Sequence, residues 1–295
     1  KKPVESARLV EEWGIEGDAH VGKWHRQVSM LSFEKIEAFR EKGADVDFGA
    51  FGENLVVEGF DLSKVPVGTK FQIGEAILEL TQIGKECHSH CAIYKVMGDC
   101  IMPREGVFTR VLKGGEIKAG DEITMLPLEK DRPFTAAVIT LSDKGAAGER
   151  EDKSGPLIQE MLMKEGYDVI ETLLLPDGEQ PLKHQLMRLA DQRQVNVIFT
   201  TGGTGFAERD VTPEATQAVC DRMAMGIADA IRQYSLSITG RAMLSRAVSG
   251  IRKKTLIVNL PGSPKAVKES LEYVLPYLGH GLGILRGTDG ECGNS

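Results

Sequence analysis

The sequence predicts two domains of different class: a β-barrel-like domain over residues 1–130 and a three-layer αβα domain with a mostly parallel sheet over residues 131–295. Three observations predict this. A chain of 295 residues is about two domains long. Up to residue 130, short apolar runs are separated by Gly-containing turns, with one or two helical stretches between them, the pattern of a β-rich domain. From Phe134 on, apolar runs alternate with helical patterns of about ten residues or more, the spacing that parallel strands need for their crossovers. The stretch from Met125 to Pro133 (MLPLEKDRP) is short, charged and bounded by prolines, and reads as the linker.

Within the first part, 18–26 (DAHVGKWHR) is a polar loop and 27–32 (QVSMLS) a strand. Phe33, Ile36 and Phe39 recur at helical spacing over 33–42, and Gly43 stops that helix. Leu55 to Val57 is a short strand. Phe71 to Ile73 and Ala76 to Ile83 flank Gly74-Glu75 and read as a hairpin. Strands at 107–112 and 122–126 close the domain, with turns at Gly114-Gly115 and Gly120-Asp121.

In the second part, strands are expected at 136–141, 169–175, 195–201 and 255–260. Helices are expected at 155–166, 182–193, 212–223, 227–237 and 265–275, with a flexible loop over 145–153. Thr212 caps its helix and Pro213 sits in the first turn, where a missing N–H does no harm. Ligands of such sheets gather at the carboxyl ends of the strands. Each strand here ends in a polar or Gly-rich motif: Ser142-Asp143, Asp177-Gly178, the loop Thr200-Thr201-Gly202-Gly203-Thr204-Gly205, and Asn259 to Ser263. A Gly-rich turn between strand and helix lets backbone N–H groups approach a phosphate. Asp177 and Asp210 beside it suit Mg²⁺ held jointly with substrate phosphates. The blander alternatives are an ordinary tight turn, aspartates bonding the local backbone, and Asp210 as a favourable charge near a helix start. Neither a P-loop motif nor a dinucleotide fingerprint is present.

Charge narrows the function classes. Lys and Arg number 36 against 43 Asp and Glu, a net charge of −7, and neither part is basic, which argues against nucleic-acid binding. No stretch approaches the roughly 18 apolar residues that cross a bilayer. Five cysteines are too few and odd in number for a disulfide scaffold, and a cytoplasmic protein is expected. The chain starts Lys1-Lys2-Pro3 rather than with Met, so some N-terminal sequence is expected to be missing or processed. Cys87, His88, His90, Cys91 and Cys100 cluster, and three readings stay open: a zinc site, inert buried thiols, or a reactive thiol favoured by basic neighbours. Arg104, just after Cys100, could meet an anion.

The segments GIEGDAHVG (14–22), HRQVSMLS (25–32), FGENL (51–55), VGTKFQIG (67–74), IGKEC (83–87) and GDCIMPREGVFTRVLKGGEIKAGDEI (98–123) resemble the MOSC family, named for the C-terminal domain of molybdenum-cofactor sulfurases. That resemblance implies a β-rich fold that binds molybdenum cofactor or carries sulfur on a cysteine. Glu86 precedes Cys87 where the family commonly has Pro, and Ser89 stands where Lys is common, so Cys100 is a second candidate.

The segments 142–155 (SDKGAAGEREDKSG), 174–179 (LLPDGE), 200–216 (TTGGTGFAERDVTPEAT), 222–246 and 259–269 (NLPGSPKAVKE) resemble the molybdopterin adenylyltransferase family of MogA/MoaB type, which one domain of gephyrin shares. The resemblance implies Mg-ATP-dependent adenylylation of molybdopterin, with Asp177 and Asp210 as the essential acids and Mg²⁺ ligands. It further implies that Thr201, Gly202, Gly203, Thr204 and Gly205 hold the pterin phosphate. Ser142, Asp143, Asn259, Pro261, Gly262, Ser263 and Lys265 would line the substrate pocket. Asp229 falls where the family commonly has Glu in a Pro-Gly-x-x-Glu pattern. A homotrimer through the second domain is implied, with molybdoenzymes or other cofactor-assembly proteins as partners. A pterin-binding scaffold without transfer activity, or a cofactor sulfurase acting through a cysteine of the first domain, are the alternatives.

Overall fold

The computed structural model describes residues 1–87 and 91–289. His88, His90 and Cys292 lie outside the described residues. The chain forms two compact units, Lys1–Glu129 and Lys130 onward.

The first unit runs β1 (Ser6–Val10), β2 (Gly14–Ile15), β3 (Val28–Ser32), α1 (Phe33–Arg40), β4 (Leu55–Val57), β5 (Lys70–Ile73), β6 (Ala76–Ile83), α2 (Ala92–Met97), α3 (Met102–Glu105), β7 (Val107–Lys113), β8 (Gly115–Lys118) and β9 (Ile123–Leu126). One sheet, in the order β4-β3-β7-β6-β5-β9, curls into a half-barrel, and β2-β1-β8 forms a smaller sheet. Alternation builds the core. Ala76, Leu78 and Leu80 of β6 are fully buried with Val28, Met30, Phe71, Val107 and Val111. A second cluster joins Ile36 and Phe39 of α1 to Leu31, Cys100, Met102 and Phe108. The β5–β6 hairpin turns at Gly74, whose φ of +56° suits glycine. Gly115, expected in a turn, belongs to β8 and pairs with Leu9. A Cβ there would lie 3.2 Å from Ala76 N, so packing rather than turning explains that glycine.

The second unit runs β10 (Thr135–Leu141), α4 (Asp143–Ala146), α5 (Ser154–Lys164), β11 (Asp168–Leu175), α6 (Glu179–Asp191), β12 (Val197–Thr201), α7 (Thr212–Val219), β13 (Arg222–Met223), α8 (Met225–Leu236), β14 (Ser249–Arg252), β15 (Thr255–Leu260) and α9 (Pro264–Arg286). The sheet order is β11-β10-β12-β15-β14-β13, with the first four strands parallel, β14 antiparallel to β15, and β13 antiparallel to β14. Period-two alternation divides β10 between two helical layers. Ala136 and Val138 pack with α5, α8 and α9, while Ala137, Ile139 and Leu141 pack with α6 and α7. The result is the expected three-layer αβα arrangement.

Four local expectations are corrected. The helix expected over 212–223 ends at Val219, because Cys220 is extended and Asp221 N donates to Ile251 O, diverting the chain into edge strand β13. The helix expected over 265–275 continues through Pro276 to Arg286, because Leu278 and Leu282 extend its buried stripe. Part of the loop expected over 145–153 is the single turn α4, capped by Ser142 Oγ accepting from Gly145 N at 3.1 Å. Thr212 is the first helical residue rather than the cap, and its hydroxyl donates to Gly202 O at 2.9 Å.

Candidate active site at the carboxyl edge of the sheet

Parallel register brings the strand-end motifs together. Leu141 of β10 faces Leu175 of β11, Thr140 faces Thr201 of β12, and Thr201 faces Leu260 of β15. Ser142-Asp143, Asp177-Gly178, the Gly202–Gly205 loop and Pro261–Ser263 therefore leave the sheet side by side, as the sequence predicts.

Close backbone approach shapes the loop. Gly202 has φ +95° and Gly203 has φ +64°, both left-handed. A Cβ on Gly202 would collide with Leu141 O, and one on Gly203 with Thr212 Oγ1. An ideal Cβ on Gly262 would meet Gly202 Cα at 3.4 Å, so the β12 and β15 loops touch through glycines. Hydroxyls stitch the floor: Thr201 Oγ1 donates to Pro261 O at 2.6 Å and Ser154 Oγ to Gly262 O at 3.0 Å. Thr201 and Thr204 are buried, whereas Ser263 is exposed and caps α9 by accepting from Ala266 N.

The acidic residues lie across the mouth of β10. Asp143 and Asp177 exchange backbone-to-carboxylate bonds, with Asp177 N donating to Asp143 Oδ1 at 2.9 Å and Asp143 N to Asp177 Oδ2 at 3.3 Å. Arg209 reaches over from the β12 loop, its Nε 4.0 Å from Asp177 Oδ2. Burial pushes the Asp177 carboxyl above its ordinary range, and the charges of Asp143 and Asp210 add to that rise, while Asp143 N and Arg209 oppose it. Asp210 closes a tight turn, its Oδ2 accepting from Ala207 N at 3.0 Å. Crowded carboxylate oxygens of this kind fit a hard divalent cation. Among the described residues no group of three His, Cys, Asp or Glu is arranged to hold a metal alone.

Other expected residues fall differently. The Asn259 side chain lies between the sheet and α7: fully buried, it donates to Thr200 Oγ1 and Thr216 Oγ1 at 2.9 Å each and accepts from Val248 N at 3.2 Å. Every polar atom of this buried amide finds a partner. Lys265 is largely exposed and lies 3.9 Å from Glu269. Asp229 accepts from Arg232 Nη1 at 2.6 Å on α8. Arg246 was not legible as a site residue. It lies 36 residues beyond Asp210 in sequence yet donates to Asp210 O, and its Nε donates to Gly205 O at 2.6 Å.

Comparison with known proteins gives this geometry a family. The profile described as a probable molybdopterin binding domain matches residues 137–280. The molybdopterin adenylyltransferase of Helicobacter pylori (strain 26695) is 40% identical over 153 residues, covering 51% of this chain and 87% of that enzyme. The chain belongs to the molybdopterin adenylyltransferase family. The Haemophilus influenzae member is 45% identical over 139 residues, 46% of this chain and 71% of its own length. The crystal structure of the molybdopterin biosynthesis enzyme MoaB from Thermus thermophilus superposes with a TM-score of 0.50 at 45% identity, covering 52% of this chain and 97% of that one. Family membership thus rests on the second unit, where the strand-end motifs lie.

The first unit matches the MOSC domain profile over residues 17–124. Its candidate thiols differ in access. Cys87 and Cys91 are exposed, whereas Cys100 is buried in the α1 cluster. Burial pushes the Cys100 thiol up, with Cys91 and Cys87 adding to the effect. Arg104, expected near an anion, makes a bidentate pair with the Asp99 carboxylate at 2.9 Å for both bonds.

Proposed function

We propose that the second unit adenylylates molybdopterin with Mg-ATP. A terminal phosphate oxygen of molybdopterin attacks the α-phosphorus of ATP, a new P–O bond forms, the α–β bridge breaks, and pyrophosphate leaves. The nucleophile is already an anion, so alignment and charge neutralisation matter more than a general base. The Gly202–Gly205 loop offers a close backbone approach for the pterin phosphate, and Ser142, Asp143, Pro261, Gly262, Ser263 and Lys265 border the nucleotide. Asp177 and Asp210 would hold Mg²⁺, which would neutralise phosphate charge. The observation that carries this reading is the 4.0 Å approach of Arg209 to Asp177, which joins the β12 loop to the end of β11 across β10. A homotrimer is the assembly expected, and the exposed Met223, Met225, Leu236, Met243 and Leu244 support it. No described helix is long and apolar enough to cross a membrane, and the four described cysteines are free thiols, in keeping with a cytoplasmic setting. For the first unit we propose cofactor binding or sulfur carriage at the exposed Cys87, with molybdoenzymes as downstream partners.

Asp210→Asn is the test. An amide oxygen can still accept from Ala207 N, so the turn survives while the charge is lost. Pyrophosphate release from ATP with molybdopterin is expected to vanish with an unchanged circular dichroism spectrum. Normal turnover would overturn the assignment, and molybdopterin binding without release by the parent chain would mark a scaffold instead.

A further inference from the structure

We propose that Arg246 is a positioning residue for adenylyl transfer, because its guanidinium pins both ends of the Gly205–Asp210 segment and so fixes where Asp210 faces. The inference rests on the adenylyltransferase reading above. Arg246 Nε donates to Gly205 O at 2.6 Å, its Nη2 donates to Asp210 O, and its Nη1 pairs with Glu214. Its own backbone N donates to Thr204 O at 3.0 Å. One side chain therefore holds the entry and exit of a segment whose middle residues, Phe206 to Arg209, are all exposed. Within that segment the closing bonds are the Ala207–Asp210 pair, which set the turn's shape without tying it to the sheet.

The base of this clamp is tied to the sheet. Ala247 and Val248, next in the chain, are buried, and Val248 is bonded through both N and O to Asn259 of β15. Arg232 of α8 supports the same strand entry, donating to Ser245 O at 3.2 Å and Ala247 O at 2.8 Å. Asp229 in turn holds Arg232. The chain of contacts runs from Asp229 through Arg232 to the backbone around Arg246, and from Arg246 to the loop. This gives Asp229 an indirect role through Arg232. Glu214 partners the Arg246 charge, so Arg246 acts through geometry and not as a phosphate ligand. A planar guanidinium holds two carbonyls in fixed directions, which an ammonium on a flexible stem does not.

The test uses Arg246→Gln and Arg246→Lys in the full chain, with two readouts. The first needs no ligand: tryptic cleavage after Arg209, relative to cleavage at other exposed basic sites, is expected to rise about tenfold in both variants as the segment is released. The second is steady-state pyrophosphate release per folded molecule. Misplacing a catalytic group by about 1 Å lowers rate about 100-fold, so kcat is expected to fall by about that factor in Arg246→Gln. The Mg²⁺ concentration giving half-maximal rate should rise, and Arg246→Lys should recover less than tenfold. A merely structural role would accelerate cleavage at all sites and lower the melting temperature while leaving kcat per folded molecule intact. Unchanged relative cleavage at Arg209, or full rescue by Lys, would overturn the proposal. If the parent chain releases no pyrophosphate, the adenylyltransferase reading fails, and the cleavage ratio still decides whether Arg246 holds the segment.

Discussion

Replacing Asn259 with Ala separates a floor residue from a ligand. In the folded chain its amide oxygen accepts from Val248 N, and Asn259, Thr200 and Thr216 are each fully buried. Removing it leaves the Val248 N–H unpaired, an effect of about 1–3 kcal/mol. Losing two donors to Thr200 and Thr216, and opening a small void, brings the expected destabilisation to about 3 kcal/mol. For a unit of this size each kcal/mol shifts the melting temperature by about 2–4 °C, so a drop of about 10 °C is expected. The assay is thermal and urea unfolding followed by far-ultraviolet circular dichroism. Both tryptophans, Trp13 and Trp24, lie in the first unit, so their fluorescence watches that unit separately and is expected to stay unchanged. The KM for ATP should change little per folded molecule. A destabilisation below about 1 kcal/mol, together with lost ATP affinity, would refute the inward placement and return Asn259 to the pocket wall.

Two further outcomes concern the first unit. Burial raises the Asp18 carboxyl, but hydrogen bonds from His20 N and Asn54 and the Lys1 ammonium outweigh it and hold the group at about 2 against an ordinary 3.8. A depressed folded-state value stabilises above the unfolded value, so about 2 kcal/mol should disappear as pH falls from about 4 through 2. Tryptophan-detected urea unfolding should show that loss in the parent and a flatter pH profile in Asp18→Asn; equal slopes would refute it. Treatment with a polysulfide followed by mass spectrometry should place a persulfide on Cys87, lost in Cys87→Ser and retained in Cys100→Ser; a persulfide on Cys100 would reverse the assignment.

Much of the second unit was legible because its signals are local. An apolar run such as Val197 to Phe199 has one reading when Gly-rich loop and helix start follow it. What was missed depends on partners distant in sequence. β14 turns into β15 at Lys253-Lys254, where Lys253 adopts φ +51°, with no Gly or Asn to announce the hairpin. Pro276 normally marks a helix end, and only the burial of Leu278 and Leu282 shows that α9 continues. In the first unit α2 and α3 are too short to display a helical period.

By itself, then, the sequence determined the two fold classes and the gathering of strand-end motifs on one edge, because parallel crossovers leave all carboxyl ends on the same side. Tertiary structure alone decided which motif residues face outward. Asn259 turns inward because the buried Thr200, Thr216 and Val248 can satisfy its amide, and Asp177 rises above the usual carboxylate range because folding buries it beside Asp143 and Asp210. It also decided that the segment leading to Asp210 is held by Arg246. A planar cation 36 residues away carries no local signal, and only the sheet brings it within hydrogen-bond reach.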